Sequence, residues 1–184
     1  MKRCFWVNMD NPLYVDYHDN EWGVPKYDDH ELYELLILEM FQAGLSWETI
    51  LNKRENFRKA FDNFDWNSIV NYDEDKINEL MQDKGIIRNR KKIEATINNT
   101  KVFLNIQREY GSFANFIWSF TDNKVIITDS KVVSNELSDT ISKELRKRGM
   151  KFVGTVIIYS YLQAVGVINS HEDNCFLKGS GNNA

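Results

Sequence analysis

The residues able to bind a soft metal ion are few and gather at the two ends of the chain. Of two cysteines and three histidines, Cys4 and His18 lie near the start, and His171 and Cys175 near the end. The His171-x-x-x-Cys175 spacing lets both side chains turn toward one ion. Two thiolates and two imidazoles suit tetrahedral zinc, and a set drawn equally from both ends would staple the termini in a structural site with no open coordination position. Two unrelated reduced thiols, or a Cys4–Cys175 disulfide in an exported protein, are the alternatives. His30, flanked by Asp28, Asp29 and Glu31, reads as a surface residue.

A second candidate is an acid in an apolar setting. Glu39 follows Leu32 by seven positions and Leu36 by three, so helical geometry puts all three on one stripe. A carboxylate there is costly without a partner, which makes Glu39 half of a salt bridge, a residue at the stripe's edge, or a site residue. Just downstream, Gln42-Ala43-Gly44-Leu45-Ser46-Trp47 breaks the helix and presents Trp47 at the next one. Upstream, Tyr14, Tyr17 and Trp22 crowd an irregular segment beside His18. Aromatic faces with a few polar groups are what a nucleobase pocket needs, although aromatic clusters also build ordinary cores.

The third feature is a glycine hairpin, Gly149-Met150-Lys151-Phe152-Val153-Gly154. Glycine at each end permits a tight reversal through positive φ. The second glycine opens a helix, so the free amides of Gly154 and Thr155 form a phosphate seat at the positive end of its dipole. Lys143, Arg146, Lys147, Arg148 and Lys151 make a basic cluster around it, and Lys84, Arg88, Arg90, Lys91 and Lys92 make another. Each could be a solvated helix face; with the hairpin, they favour sequence-independent grip on a nucleic-acid backbone.

The elements that must hold these groups read as helices. Asp28 or Asp29 caps a helix running to Gly44, Ser46 one carrying Ile50, Leu51, Phe57 and Phe61, and Asp73 a third ending at Gly85. A long helix spans 88–110 before Gly111, a short aromatic one 112–120, and the last two 138–148 and 155–168. Val125-Ile126-Ile127 is a short strand or an extended loop, and little sheet is expected elsewhere. Both prolines, Pro12 and Pro25, fall in the irregular start. Residues 1–177 read as one domain and 178–184 as a mobile polar tail.

Composition bounds the partners. With 42% hydrophobic and 27% charged residues the chain is an ordinary globular one, and its length, 184 residues, suffices for a real core. A net charge of −4 gives no whole-molecule attraction to a polyanion, so any nucleic acid must be met by local patches. The longest apolar run, 152–168, falls short of the roughly 20 residues of a membrane-spanning helix. The start shows no secretory signal, so an intracellular protein is expected.

Several blocks in order resemble the DNA-3-methyladenine glycosylase I family. They are Arg3-Cys4-x-Trp6, Pro12-Leu13-Tyr14, Tyr17-His18-Asp19-x-Glu21-Trp22-Gly23, Leu38-Glu39, Gln42 to Trp47, Lys53-Arg54-Glu55, Gly85 to Arg88, Trp118-Ser119-Phe120, Lys147 to Gly154 and His171-x-x-x-Cys175. The resemblance implies an all-α fold of the helix-hairpin-helix DNA glycosylase superfamily, with two packed helical subdomains, a zinc site joining the chain ends, and the helix-hairpin-helix at about 138–168. It also implies hydrolysis of the N-glycosidic bond of 3-methyladenine in alkylated double-stranded DNA, leaving an abasic site. The family's zinc ligands fall on Cys4, His18, His171 and Cys175. Its base pocket falls on Glu39, Tyr17 and Trp47, with Tyr14, Trp6, Trp22 and Ser160 around them.

On this reading Gly44 and Leu45 fill the gap left in the duplex, and Lys151, Gly154 and Thr155 hold the backbone. Many superfamily members carry an aspartate two residues before the histidine that is His171 here; this chain has Asn169, so no strong base is evident at that point. A monomer is expected. The rival readings are a non-catalytic zinc-stapled DNA-binding module and a zinc hydrolase.

Overall fold

The computed structural model describes residues 1–179. In chain order its elements are α1 (Pro12–Asn20), α2 (Asp29–Gln42), α3 (Trp47–Asn52), α4 (Arg54–Ala60), a 3-10 turn (Asp62–Phe64), α5 (Trp66–Ile69), α6 (Glu74–Gln82) and α7 (Arg90–Tyr110). There follow α8 (Phe113–Ser119), β1 (Ile126–Ile127), α9 (Glu136–Lys147), α10 (Thr155–Ala164) and β2 (Ile168–Asn169). The two short strands pair in parallel, Ile126 with Ile168 and Ile127 with Asn169. The fold is thus mostly helical, and no described helix is long and apolar enough to cross a membrane.

Helix starts obey side-chain capping. Asp28, Ser46 and Asp73 each accept a hydrogen bond from the backbone amide three residues on, and Asn135 with Ser138 completes a reciprocal capping box. Asp29 instead caps a different helix: its carboxylate accepts from the amides of Phe113 and Ala114 at 2.9 Å, pinning the start of α8 to the start of α2. Gly111 ends α7 in the left-handed region, at φ +83°.

Four expectations are corrected. The start is not irregular throughout, because Pro12 is the first residue of α1 rather than a breaker, and Asn11 caps it. The helix after Ser46 is two, bent at Lys53. The last helix stops at Ala164, four residues early: Gly166 turns the chain at φ +75° toward β2, and a Cβ there would lie 2.3 Å from backbone atoms of Val24 and Pro25. In the hairpin, Gly149 takes positive φ (+98°) as expected, but Gly154 does not (φ −60°); the left-handed residue is Phe152, at φ +56°. Of the tail, Lys178 is held to Asp173 and Thr128, and 180–184 lie outside the described residues.

One contiguous core runs from Leu32 to Ile168. Its axis is α2, on which every residue from Leu32 to Phe41 is buried, because α3, α7, α8 and α10 pack around it. Two smaller clusters lie outside that core: Cys4, Val7 and Cys175, and Tyr14, Tyr17 and Leu51. They join the chain's beginning, which drapes over α10, to Cys175 near the other end and to Leu51 of α3. Buried Lys26 fixes that beginning on α10, donating to the carbonyls of Glu21, Val24 and Ala164, so that one cation serves the ends of both α1 and α10.

Candidate active site

A cavity of about 250 Å³ opens between α1, α2 and α3 on one side and α10 with the 130–133 loop on the other. Trp6, Tyr14, Tyr17, Trp22, Glu39, Trp47 and Ser160 all line it. The helical form of α1 explains part of this convergence, since Tyr14 and Tyr17 sit at i and i+3 and share a buried side with His18. Tyr17 and Trp47 lie 5.3 Å apart between ring centres, tilted by 40°. On the opposite wall the sequence had pointed to Ser160 and missed Tyr159, Gln163, Val132 and Val133, and it also missed Gln42, one turn beyond Glu39. Gln42 was legible in principle, because i and i+3 share a helix face.

Two glutamates of α2 are buried, and they are chemically opposite. Glu34 would be penalised by desolvation, but Arg58 and Arg54 reach it at 2.8 and 2.6 Å and hold its carboxyl below the ordinary range. Glu39 has no such partner. Burial alone pushes its carboxyl up to about 8, so at neutral pH it is mostly a neutral acid. Among the described residues, the buried side-chain polar atoms lacking any hydrogen-bond partner are Glu39 Oε2 and Trp47 Nε1. Both belong to this cavity's lining, one an acid edge and the other an indole donor. A protein that leaves such groups unsatisfied incurs a cost a polar guest can relieve. Tyr17, fully buried, keeps its phenol proton, with desolvation and then the nearby Glu39 pushing its pKa well above 10.

Behind Trp6 and Trp22 sits the candidate metal-ligand set. The donor atoms of Cys4, His18, His171 and Cys175 lie within 4.8 Å of one another, all on buried residues. Three thiol-to-imidazole distances are 3.5 Å. A tetrahedral ion with bonds of about 2.3 Å to sulfur and 2.0–2.1 Å to nitrogen requires S···N edges of about 3.5 Å. The donor set therefore fits such an ion. Support beyond the ligands fits too: His18 offers Nε2 inward while its Nδ1 meets Asp19 at 2.8 Å, and Asp19 is gripped by Arg3 through two hydrogen bonds. Gly23 is required beside it, since a Cβ there would stand 3.1 Å from His171 Nε2. Both cysteines are free thiols rather than a disulfide. Without a cation, burial pushes the Cys4 thiol up to about 12.

The wall and the candidate ligand set are joined by a run of edge-to-face and tilted aromatic contacts. Trp22 lies 4.6 Å from the His171 ring and 4.9 Å from Trp6, which lies 5.3 Å from Tyr14.

Gly44 and Leu45 project at the break between α2 and α3: Gly44 has φ +82° with open space around it, and Leu45 is exposed. At the hairpin, α10 begins without a side-chain cap, unlike α1, α2 and α3. Thr155's hydroxyl is turned away to Asp139 and Ser138 of α9, leaving backbone amides as the group's free donors. Lys143, Arg146, Lys147 and Lys151 have no ion pair among the described residues. Arg148 leaves the basic cluster, because Glu109 and Glu144 engage it. In the other cluster Arg90 pairs with Glu74 and Glu94, and Lys92 is buried. Asn169 is buried in β2, its Oδ1 accepting from the amide of His171. His30, only partly exposed, meets the carbonyl of Asn63.

The model of the methyladenine glycosylase family matches residues 6–178. The chain belongs to that family. It is 46% identical over 180 residues to DNA-3-methyladenine glycosylase 1 of Escherichia coli (strain K12), covering 95% of this chain and 96% of that one. It is 41% identical to the DNA-3-methyladenine glycosylase of Haemophilus influenzae, over 97% and 98%. Among solved structures, a 3-methyladenine DNA glycosylase I at 47% identity superposes with a TM-score of 0.91, covering 95% and 98%. The Staphylococcus aureus enzyme, described for its recognition of 3-methyladenine, is 35% identical, with a TM-score of 0.93 over 99% of both chains. The relatives and this chain thus share family, fold and nearly full length.

Proposed function

We infer that this protein is a DNA repair hydrolase that cleaves the N-glycosyl bond of 3-methyladenine in alkylated DNA. The observation that carries the reading, beside family membership, is the pair of unsatisfied buried groups, Glu39 Oε2 and Trp47 Nε1, in one aromatic-walled cavity.

The damaged nucleotide swings out of the duplex and its purine enters the cavity, where Trp47 stacks on the ring and Glu39 reads the adenine edge with Tyr17 alongside. Trp6, Tyr14, Trp22 and Ser160 complete the enclosure. Methylation at N3 makes the base cationic. A cation beside Glu39 lowers that group's pKa, so the pocket binds a charged purine in preference to neutral adenine. When the bond between the base nitrogen and C1′ breaks, its electron pair goes to the base and cancels the positive charge. Water then adds to C1′ and loses a proton, leaving an abasic site. Because the leaving base is already activated, the chemistry tolerates Asn169 where a strong base would otherwise stand.

Leu45 and Gly44 occupy the gap in the stack. Residues 138–168 act as the helix-hairpin-helix, with Lys151, Gly154 and Thr155 meeting backbone phosphates at the uncapped start of α10. Residues 1–177 form one domain of two packed helical subdomains, the pocket between them. Cys4, His18, His171 and Cys175 hold a zinc ion, which supplies structure alone because four protein donors leave no open position. The protein works as a monomer inside the cell, on double-stranded DNA.

The test is to incubate the protein with methylated duplex DNA and identify the released bases. Free 3-methyladenine without strand cleavage is expected; no released base would overturn the reading.

A further inference from the structure

Helix α7 contributes nothing to the cavity lining, yet two of its buried polar side chains end on the two elements assigned above to DNA. Lys92, only 5% exposed, has no carboxylate partner among the described residues. Its ammonium donates to the carbonyls of Phe41 at 2.8 Å and Ala43 at 2.7 Å. The neighbouring carbonyls are also taken: Met40, just before, accepts from the amide of Ala43, and Gln42, between them, from that of Leu45. The whole run 40–43 is thereby fixed, and Gly44 and Leu45 leave it in one direction.

Asn99, 2% exposed, does the same for the hairpin. Its Nδ2 donates to the carbonyl of Lys151 at 2.8 Å, and the amide of Lys151 donates back to Oδ1 at 2.8 Å. Asn98 adds a hydrogen bond to the carbonyl of Gly149 at 2.8 Å. A buried ammonium and a buried amide are costly unless their donors are used, and here the backbone of the two loops uses them. Lys92 and Asn99 are seven residues apart, two helical turns, so they leave one side of α7 about 10 Å apart.

We propose that Lys92 and Asn99 are positioning residues, and that α7 is a spacer holding the Gly44–Leu45 wedge and the Gly149–Gly154 hairpin at one fixed separation along the DNA. This rests on the glycosylase reading given above. The wedge must enter the stack where the hairpin holds the strand, and an error of about 1 Å in such alignment costs on the order of a hundredfold in rate.

The test compares Lys92→Met and Asn99→Leu with the unaltered protein in three measurements. These are affinity for free 3-methyladenine, affinity for a duplex bearing a stable abasic analogue as salt is raised, and single-turnover base release from methylated duplex. Asn99→Leu should weaken duplex binding about tenfold or more and make the salt dependence shallower by about one unit of log–log slope, as when a phosphate contact is lost. Lys92→Met should leave duplex affinity within about threefold while the maximal release rate falls about tenfold or more. Lys92→Arg should recover most of that rate. Free-base affinity should stay within about twofold in all variants, which a general loosening of the fold would not allow.

A wild-type salt slope in folded Asn99→Leu, or a wild-type release rate in folded Lys92→Met, would overturn the proposal, as would a matching loss of free-base affinity. Should Lys92→Met not fold, the salt slope and duplex affinity of Asn99→Leu decide. No base release by the unaltered protein would instead sink the glycosylase reading.

Discussion

Replacing Glu39 with glutamine should stabilise the ligand-free protein, and by an amount that depends on pH. In the unfolded chain this carboxyl titrates near 4.5, whereas burial pushes it up to about 8 in the folded state. A raised folded-state pKa leaves stability intact below 4.5 and erodes it as pH climbs toward 8, because the unfolded chain ionises first. Each pH unit in that window costs about 1.4 kcal/mol, so at pH 7 the wild-type acid subtracts about 3 kcal/mol that an uncharged amide does not. For a chain of this size that is a melting-temperature gain on the order of 6–12 °C for Glu39→Gln at pH 7. Near pH 4 the gain should vanish, and above pH 9 it should reach about 5 kcal/mol and then stop growing. Thermal melts of both proteins at half-unit steps from pH 4 to 9, with zinc content measured in parallel, would record the curve. Single-turnover base release should fall in the same variant. A melting difference independent of pH would refute the assignment of Glu39 as an unpartnered buried acid, and unchanged release would remove it from the mechanism.

Other perturbations address neighbouring features. Trp47→Ala should weaken binding of free 3-methyladenine by about 1–3 kcal/mol, the range for one base stacked on an aromatic ring; equilibrium titration reads it, and an unaltered affinity would place the base elsewhere. Metal analysis should find one zinc per chain, and Cys175→Ser should lose it together with several degrees of melting temperature; a metal-free native protein of equal stability would contradict the donor geometry. Gly166→Ala should cost about 3 kcal/mol or more in urea unfolding, since both its φ of +75° and the 2.3 Å approach to the Val24–Pro25 backbone forbid a side chain. Leu45→Ala should slow release from duplex about tenfold yet leave free-base affinity unchanged; equal rates would deny it a place in the gap.

The parts of the site that were legible in the sequence are those where residue type alone limits the options. Cys4, His18, His171 and Cys175 could be picked out because soft donors are scarce here, and Glu39 because a charge interrupts an apolar stripe. What lay hidden depended on tertiary neighbours. Pro12 signals a loop or a helix start with equal force until Asn11 is seen to cap it. Nothing in the spacing of Arg54 and Arg58 tells that they neutralise Glu34 and spare Glu39. Lys92 and Arg148 looked like members of surface clusters, but carbonyls claim one and carboxylates the other. On the far wall the family resemblance had pointed to Ser160, but Tyr159 and Gln163 beside it were unreadable, because α10 meets the chain's beginning only after the turn at Gly166 brings it there.

The segment carrying Trp6, Tyr14 and Trp22 owns almost no apolar core, and it is clasped instead by donor atoms contributed from opposite termini. Were zinc to fill that clasp, the fraction of molecules with this wall of the cavity in place would follow metal supply. Starvation for a trace nutrient would then lower repair capacity while the amount of polypeptide stays the same.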